Sequence, residues 1–511
     1  MTAQSEIAAG YASEGAAVEL GAVVVDGAIE PGAHVRIPLA MLNRHGLVAG
    51  ATGTGKTKTL QLLAEQLSSA GVPVVVADVK GDLSGLSREG AADDRVTARA
   101  TETGDDWQPQ ACPVQFLSLG TGGAAVPVRA SVTSFGPILL AKVLGLNDTQ
   151  ESTLGLIFHW ADRRGLALLD TKDLRAVITH LTSDEGKDDL KGLGGVSSAT
   201  AGVILRALVN LEAQGGDTFF GEPELDPRDL MRQVDGRGVV TLLELADLQA
   251  KPALFSTFLM WLLAELFEVL PEAGDLDRPK LVFFFDEAHL LFAGASKAFK
   301  EQITRTVKLI RSKGVGVFFC TQLPTDVPND VLSQLGARIQ HALRAFTPED
   351  QAALAKTVKT YPTTPHYRLD KALTSLGIGE AVVTVLSEKG APTPVAWTRL
   401  RAPRSLMDTI GPDAIRTAAE SSELHTKYAE TVDRESAYEE LAAKVAGPPA
   451  DDRAPAPPAE AGRQRREERE EPTVVDKVLG NSAVKSFLRS AASALGREIT
   501  RGIFGTSRKR R

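Results

Sequence analysis

Residues 46–60 read GLVAGATGTGKTKTL, a short apolar run followed by a glycine-rich loop and the start of a helical pattern. The loop, Gly50 to Thr57, matches the spacing G-x-x-x-x-G-K-[ST] in full. Glycines at these positions let the backbone N–H groups point at phosphate oxygens, beside the positive end of a helix. The stretch therefore predicts a strand–loop–helix unit of a parallel α/β fold that binds a nucleotide.

The loop residues have distinct expected tasks. Lys56 is expected to reach the β- and γ-phosphate oxygens of ATP, and the Thr57 hydroxyl is expected to bind Mg²⁺. A glycine-rich turn without a ligand is the alternative, which the strand before the motif and the helix after it disfavour. The residues expected to contact the nucleotide are Gly50, Ala51, Thr52, Gly53, Thr54, Gly55, Lys56, Thr57 and Lys58.

A second strand is expected to bring a carboxylate to the metal. Residues 281–289 read LVFFFDEAH, five apolar residues followed by two acids. Asp286 is expected to hold the Mg²⁺ and Glu287 to polarise the attacking water. The alternative is an ordinary acidic pair at a strand end. His289 is expected to pack or hydrogen-bond rather than to take part in catalysis.

Two further strand ends carry polar residues. The strand Val315–Cys320 is followed by Thr321 and Gln322, and Gln322 is predicted to sense the γ-phosphate or position water, unless it only caps the strand. Asp78 ends the strand after the P-loop helix, where the carboxyl ends of parallel strands line a ligand crevice. Its alternative role is to form the turn that follows.

An arginine from a neighbouring subunit often completes such sites, because it places positive charge where negative charge develops in the transition state. Arg305 and Arg311, after the acidic pair, and Arg338, in the segment GARIQHAL, are the three arginines considered for this role. Each could instead be a surface or structural arginine. We expect one of the three to act in trans.

Composition indicates a globular protein of a reducing compartment. The chain has 511 residues, of which 43% are hydrophobic and 24% are charged, and it has two cysteines, too few for a disulfide framework. The N-terminus shows no signal-peptide pattern. The apolar helical segment Phe258–Leu270 contains Glu265 and is too short to span a bilayer. These features predict a cytoplasmic location.

Charge is unevenly distributed along the chain. The net charge is −8, and residues 477–511 contain nine Lys or Arg against one Glu, which gives this segment +8 and leaves −16 for residues 1–476. An acidic body with a basic end argues against a broadly DNA-coated surface and favours localised contacts.

Hydrophobic periodicity predicts an α/β fold with a mainly parallel sheet, including the strand Gly46–Ala49, the helix Lys56–Ser69 and the strand Leu281–Phe285. The predicted segments are a β-rich lead-in (1–45), a first part of the P-loop core (46–133), a helical insertion (134–235), a second part of the core (236–405), a helical extension (406–446), a flexible linker (447–472) and a basic amphipathic tail (473–511). The tail would suit nucleic acid, anionic membrane or a protein partner.

With these motifs placed, residues 20–405 resemble the HerA/FtsK branch of P-loop ATPases. The resemblance rests on RHGLVAGATGTGKTKTLQLLAEQL, DVKGDLSGL, LGLNDTQESTLGLIF, FDEAHLLF and TQLPTDVPNDVLSQLGARIQHALRAFTPEDQ. It implies a RecA-like fold, a ring that is often a hexamer, ATP hydrolysis between subunits, and DNA threaded through the ring. It also implies a role for Arg44, the basic residue before the P-loop strand.

Two functions therefore compete. One is an ATP-driven ring motor acting on DNA, with Lys313, Arg305 or the helical insertion as DNA contacts. The other is a regulatory ATPase that remodels or recruits proteins. Its basic tail could bind it to the surface of a membrane. The resemblance favours the first. The acidic body favours the second. So does the lack of a sequence pattern for the N-terminal β-barrel of HerA-type translocases, or for the membrane spans and winged helix of FtsK-type motors.

Overall fold

The computed structural model describes residues 2–120, 123–190, 194–213, 215–245, 252–274, 276–292 and 297–446. The predicted linker (447–472) and basic tail (473–511) lie outside these residues. Within the described part, no helix is long and apolar enough to cross a membrane.

Most strands are short and buried. They are β1 (Ala17–Val25), β2 (Ala28–Pro38), β3 (Gly46–Ala49), β4 (Val74–Asp78), β5 (Val114–Leu119), β6 (Val126–Val128), β7 (Gln233–Val234), β8 (Arg237–Gly238), β9 (Val240–Glu244), β10 (Leu281–Phe285), β11 (Val315–Thr321), β12 (Ala337–Gln340), β13 (Glu380–Thr384) and β14 (Ala396–Leu400). The predicted bounds of β3 and β10 are confirmed.

Helices precede, separate and follow the strands. They are α1 (Ala3–Ala9), α2 (Lys56–Ser69), α3 (Asp94–Thr103), α4 (Val132–Val143), α5 (Asp148–Arg164), α6 (Thr171–Thr182), α7 (Asp184–Asp189), α8 (Ser198–Ala213), α9 (Pro252–Val269), α10 (His289–Phe292), α11 (Lys297–Ile310), α12 (Asn329–Leu332), α13 (Pro348–Val358), α14 (Leu369–Ser375), α15 (Pro412–Glu420), α16 (Glu423–Tyr428) and α17 (Ala437–Ala446). The segment predicted as a helical insertion contains α5 to α8 and most of α4.

One sheet of 12 strands organises the molecule, in the order β2-β1-β14-β13-β12-β3-β11-β10-β4-β9-β5-β6. The strands from β12 to β6 pair in parallel, whereas β2, β1, β14 and β13 add an antiparallel extension at one side. The predicted mainly parallel sheet of a RecA-like fold is therefore confirmed. The lead-in strands β1 and β2 belong to this same sheet.

The central strands are largely apolar because they are buried, and β10 is apolar at every position. Successive side chains of a strand point to opposite faces, and the alternate residues of β10 join two different cores. Phe283 and Phe285 pack in one core, while Val282 and Phe284 pack in the other. Across the β10–β11 pair, the rings of Phe285 and Phe319 stack with their centroids 5.5 Å apart. A near-continuous apolar run is typical of parallel strands buried on both faces.

The first residue of β3 must be glycine for a packing reason. A Cβ atom on Gly46 would lie 2.2 Å from the ring of Phe318 on the neighbouring strand β11. Any side chain at this position would displace the ring or separate the strands. Gly46 therefore lets β11 lie against β3, and this pairing brings the end of β11 beside the glycine-rich loop.

Candidate functional site

The glycine-rich loop leaves the carboxyl end of β3 and is tied to the strands on both sides. The Gly50 N–H donates to the carbonyl of Thr321 at the end of β11, at 3.2 Å. The Ala51 N–H donates to the carbonyl of Ala342, just after β12, at 2.8 Å. The loop is thus held in place by the sheet before any ligand binds.

Lys56 begins α2 and folds back into the loop. Its side chain is buried, and its ammonium group donates to the carbonyls of Gly50 at 2.8 Å and Ala51 at 3.3 Å. Gly50 has φ +155°, and a Cβ there would lie 2.5 Å from the Cβ of His341. The loop therefore presents a buried positive charge and backbone N–H groups to the same space, which suits a phosphate chain.

His341 supports the loop from behind and was not predicted from the sequence. It is fully buried, and its Nε2 lies 2.8 Å from the hydroxyl of Thr59 on α2. Burial, together with the nearby charge of Lys56, lowers the pKa of His341 to about 4. The imidazole is therefore neutral at pH 7 and acts as a hydrogen-bonding support for the P-loop helix.

The acidic pair follows β10, two strands from β3 at the same edge of the sheet. Asp286 is 1% exposed, and its Oδ2 has no hydrogen-bond partner among the described residues. Burial raises the pKa of Asp286, and the neighbouring carboxylate of Glu287 adds to this, while Lys80 opposes it. Glu287 is buried with φ +46°, a rare conformation for a residue other than glycine.

Glu287 has one ion-pair partner and one close neighbour that the sequence did not reveal in this role. Lys80, in the turn after β4, forms an ion pair with Oε1 of Glu287. His289 Nδ1 lies 3.2 Å from Oε2 of the same carboxylate. Oε2 of Glu287 and Nδ1 of His289 nevertheless have no hydrogen-bond partner among the described residues, so the structure engages the carboxylate through Lys80, and a packing or hydrogen-bonding role of His289 stays a prediction.

Asp78 is both a turn former and a member of this edge of the sheet. Its carboxylate accepts the N–H groups of Lys80 at 3.2 Å, Gly81 at 2.7 Å and Leu83 at 3.0 Å. Burial, with the nearby carboxylate of Asp82, raises its pKa to about 6. Asp78 therefore shapes the turn that carries Lys80 to Glu287, as its alternative role predicted.

Glu244 is a further acid at this edge that the sequence reading missed. It ends β9 and lies opposite Asp78 in the parallel register. Burial raises its pKa to about 8, and the carboxylate of Asp78 adds to the effect. An acid at the end of a predicted parallel strand was the only available signal, and it required knowledge of the strand order.

The residues present fit a magnesium ion of the kind that P-loop proteins bind with the nucleotide. Asp286 provides a buried carboxylate oxygen that lacks a partner among the described residues, and Thr57, half-buried at the start of α2, provides a hydroxyl. Carboxylate and hydroxyl oxygens with phosphate oxygens are the ligands that Mg²⁺ prefers. No cluster of three or more His, Cys, Asp or Glu suited to a metal occurs in the described residues.

The Thr321–Gln322 pair lies at the same edge, at the end of β11. The Thr321 hydroxyl donates to Asp326 Oδ2 at 2.7 Å, which stabilises the turn after the strand. Gln322 is exposed on the loop beyond it. A role for Gln322 toward the γ-phosphate therefore stays a prediction.

Three of the four predicted accessory arginines meet in one groove at the opposite edge of the sheet, where β3, β11 and β12 begin. The groove has a volume of about 510 Å³. Its cationic lining residues are Arg44, Lys308, Arg311 and Arg338. Arg338 donates to the carbonyls of Thr360 at 2.9 Å and Leu332 at 3.4 Å. This cationic groove does not contact the P-loop of its own chain, since the length of β3 separates them.

Arg305 and Lys313 have other surroundings. Arg305 lies half-buried on α11 and does not line the cationic groove. Lys313 forms an ion pair with Glu272 at 3.0 Å, and its ammonium lies 4.8 Å from the ring centroid of Phe267. The described contacts of Lys313 are thus intramolecular, and a role toward DNA stays a prediction.

A P-loop with its lysine buried in the loop, and an Asp–Glu pair two strands away in a mainly parallel sheet, define a RecA-like P-loop NTPase. A family model described as Helicase HerA-like C-terminal matches residues 25–511. The chain therefore belongs to this family of HerA/FtsK-type P-loop ATPases. No curated protein matches the chain in sequence.

Solved structures of similar fold include the bacterial conjugative coupling protein TrwB. The plasmid coupling protein TrwB in complex with ADP and Mg²⁺ is 16% identical with a TM-score of 0.52, covering 80% of this chain and 93% of that chain. Unbound TrwB lacking its N-terminal segment is 16% identical with a TM-score of 0.51, covering 80% of this chain and 95% of that chain. VirB4 of Thermoanaerobacter pseudethanolicus is 15% identical with a TM-score of 0.48, covering 76% and 98%. The TrwB structures support the fold at this level of identity.

Proposed function

We propose that the protein is a Mg²⁺-dependent ATPase that forms a ring of its own copies in the cytoplasm and acts on DNA. The observation that carries this proposal is the convergence of Lys56, Thr57, Asp286 and Glu287 at one edge of the sheet. These four residues provide a cation for the phosphates, two metal ligands and a carboxylate for water. The set is that of a nucleotide hydrolase.

The proposed division of work follows from the geometry. Backbone N–H groups of the P-loop and the Lys56 ammonium bind the β- and γ-phosphates and leave the carbonyls that Lys56 contacts in this structure. Thr57 and Asp286 would hold Mg²⁺, which would supply positive charge to neutralise the phosphate oxygens. Glu287 accepts a hydrogen bond from the water whose oxygen attacks the γ-phosphorus, and the bond from phosphorus to the β–γ bridging oxygen breaks.

The residues at the two opposite ends of the parallel strands support the proposal of a ring. Identical subunits in a ring meet through two different faces, so one face of each subunit lies against the other face of its neighbour. The P-loop edge would hold the anionic triphosphate, and the cationic groove at the other edge has the complementary charge. We propose that Arg311, exposed at the groove, reaches the neighbour's nucleotide.

Action on DNA is supported by the family, which is described as helicase HerA-like, and by the fold shared with TrwB, a conjugative coupling protein. The competing proposal is a regulatory ATPase that remodels proteins. It is favoured by the −16 charge of residues 1–476, which limits DNA contact to local surfaces. The basic segment 473–511 would then contact a membrane or a protein.

The test is the ATPase rate with and without duplex DNA, for the wild-type protein and for Glu287→Gln. We expect DNA to raise the wild-type rate and the variant to lose about 100-fold or more in turnover while still binding ATP, because a correctly placed base contributes about 10²–10⁴-fold. Removal of Mg²⁺ with a chelator should stop hydrolysis.

Two results would contradict the proposal, and a third would identify the partner of the basic tail. Full turnover by Glu287→Gln would exclude it as the residue that activates water. An ATPase rate that is the same with and without duplex DNA, together with no salt-dependent DNA binding, would favour the regulatory ATPase. If deletion of residues 473–511 removes binding to anionic vesicles but leaves DNA stimulation intact, the tail is a membrane contact.

A further inference from the structure

We propose that Phe346 and Ile378 form the subsite for the purine base of the nucleotide held by the P-loop of the same chain. The inference rests on the proposed nucleotide site and adds the part that recognises the nucleoside. Phe346 is 85% exposed and Ile378 is 74% exposed, the highest values among the large apolar side chains of the described residues. Two exposed apolar side chains beside one ligand site indicate a surface that a bound molecule covers.

Both residues sit in loops that contact the glycine-rich loop directly. Two residues before Phe346, the guanidinium of Arg344 donates to the carbonyl of Thr52 at 3.3 Å. The residue after Ile378 is Gly379, whose N–H donates to the carbonyl of Thr54 at 3.1 Å. The exposed apolar side chains are thus carried by segments that the P-loop itself holds.

The sheet topology places both loops at the nucleotide edge. The loop that carries Phe346 follows the carboxyl end of β12, which is parallel to β3. The loop that carries Ile378 precedes β13, which is antiparallel to β12, so the start of β13 lies at the same edge. Both loops therefore lie on the β12 side of the P-loop, whereas Asp286 lies on the other side, beyond β11.

This arrangement gives the bound nucleotide a direction. The γ-phosphate is expected on the side of Thr57 and Asp286, because these two residues would hold the metal ion that P-loop proteins bind with the terminal phosphates. The nucleoside end then extends to the opposite flank, where Phe346 and Ile378 are exposed. An aromatic ring can stack on one face of a planar base, and an aliphatic side chain can pack against it.

Stacking of this kind recognises a base by its π-face and tolerates different bases. The subsite should therefore distinguish a nucleotide from a bare phosphate chain more strongly than it distinguishes ATP from GTP. Because the residues touch the base and not the phosphates, their removal should weaken binding of the nucleoside part alone.

The experiment compares equilibrium binding of a non-hydrolysable ATP analogue and of inorganic tripolyphosphate, both with Mg²⁺, to the full-length protein. We expect Phe346→Ala to weaken binding of the analogue about tenfold, which corresponds to about 1.4 kcal/mol, and to leave tripolyphosphate binding unchanged. Ile378→Ala should show a smaller effect of the same kind. Phe346→Tyr should bind the analogue as the wild type does, because it keeps the ring.

Two control variants separate the possible failures. Lys56→Ala should weaken both ligands, since it removes the cation for the phosphates. Ile138→Ala removes an apolar side chain that is 53% exposed on α4 and should change neither affinity. If the wild-type protein binds neither ligand, the proposed nucleotide site itself fails.

Three outcomes would overturn the base subsite while leaving the phosphate site intact. The first is unchanged affinity of Phe346→Ala for the ATP analogue. The second is an equal loss for the analogue and for tripolyphosphate, which would mean that the substitution disturbs the P-loop. The third is a change in oligomeric state at unchanged affinity, which would assign Phe346 to a contact between subunits.

Discussion

Lys80 pairs with Oε1 of Glu287, whereas Oε2 has no hydrogen-bond partner among the described residues, although His289 Nδ1 lies 3.2 Å from it. The ion pair orients the carboxylate, and the Lys80 ammonium competes with water for Oε1. Lys80 lies on the turn after β4, whereas His289 begins α10. The pairing of Lys80 with Glu287 is therefore expected to hold the hydrolysis rate down.

Replacing Lys80 by methionine should raise the ATPase rate several-fold in the absence of DNA. The substitution keeps the length of the side chain and removes the cation that competes with water for Glu287. Lys80→Arg is the matched variant and should keep the wild-type rate, because it retains the ion pair. Steady-state turnover at saturating ATP is the measurement, and a lower rate for Lys80→Met would show that Lys80 assists hydrolysis instead.

The sequence predicted those site residues whose neighbours in the chain define them. Lys56, Asp286 and Glu287 each follow a recognisable strand or motif, and the structure brings them to one edge of the sheet. Lys80 and His341 were missed because their contacts depend on which strands are adjacent. No local pattern states that the turn after β4 reaches the end of β10.

At the level of elements, the P-loop helix α2 is fastened to the segment that follows β14. Glu65 on α2 accepts the N–H of Arg404 at 2.8 Å and the N–H of Ser405 at 3.2 Å. One turn earlier, Gln61 donates to the Ser405 hydroxyl at 2.8 Å and to the Leu406 carbonyl at 2.9 Å. A buried acid thus joins the helix that carries Lys56 to residues more than 300 positions away.

This contact makes stability depend on pH. Burial raises the pKa of Glu65 to about 7, above the ordinary value of 4.5. Between these two values the folded protein keeps the proton that the unfolded chain has lost, so this group's contribution to stability falls as pH rises through that window. The loss is at most about 3.5 kcal/mol, since each pH unit of the window contributes about 1.4 kcal/mol. Above about pH 7 the contribution no longer changes.

Glu65→Gln should therefore be less sensitive to pH than the wild type. Relative to the wild type, we expect the variant to gain about 1–3 kcal/mol in free energy of unfolding between pH 5 and pH 8. Urea denaturation across this range is the measurement. Glu349→Gln, on the exposed side of α13, is the control and should follow the wild type. A constant difference between Glu65→Gln and wild type would contradict the assignment.

Element boundaries in the core were predictable because strands buried on both faces show as apolar runs. The place of β1 and β2 in the sheet was not predictable. β1 pairs with β14, and Gly21 of β1 lies opposite Leu400 of β14. Two segments separated by most of the chain carry no sequence signal of their pairing. The sequence therefore does not predict where the lead-in strands lie relative to the sheet.

At the scale of the whole molecule, the two opposite ends of the parallel strands carry different functional residues. One edge holds the P-loop and the acidic pair, and the other holds the cationic groove of Arg44, Lys308, Arg311 and Arg338. Within one chain these edges cannot act on the same phosphate. If the proposed ring forms, each nucleotide would lie between the P-loop of one subunit and the groove of the next.

Shared sites of this kind can be tested by mixing two inactive variants. Lys56→Ala lacks the phosphate cation but keeps Arg311, whereas Arg311→Ala lacks the groove arginine but keeps the P-loop. We expect each variant alone to hydrolyse ATP poorly. When the two are co-expressed, random assembly of a heterologous ring should restore about one quarter of the sites, because each restored site needs one particular order of two neighbours.

Co-expression of Lys56→Ala with Glu287→Gln is the matched control for this experiment. Both changes lie at the same edge of the sheet, so every mixed site still lacks one of the two residues and no activity should return. Recovery is measured as ATPase rate per ring, with the assembled species isolated through different tags on the two variants. An assembled ring of Lys56→Ala and Arg311→Ala that stays inactive would exclude Arg311 as the residue supplied by the neighbour. Near-normal turnover by Arg311→Ala alone would also exclude Arg311. Recovery of activity with Lys56→Ala and Arg311→Ala, but not with Lys56→Ala and Glu287→Gln, can arise only if the nucleotide lies between subunits.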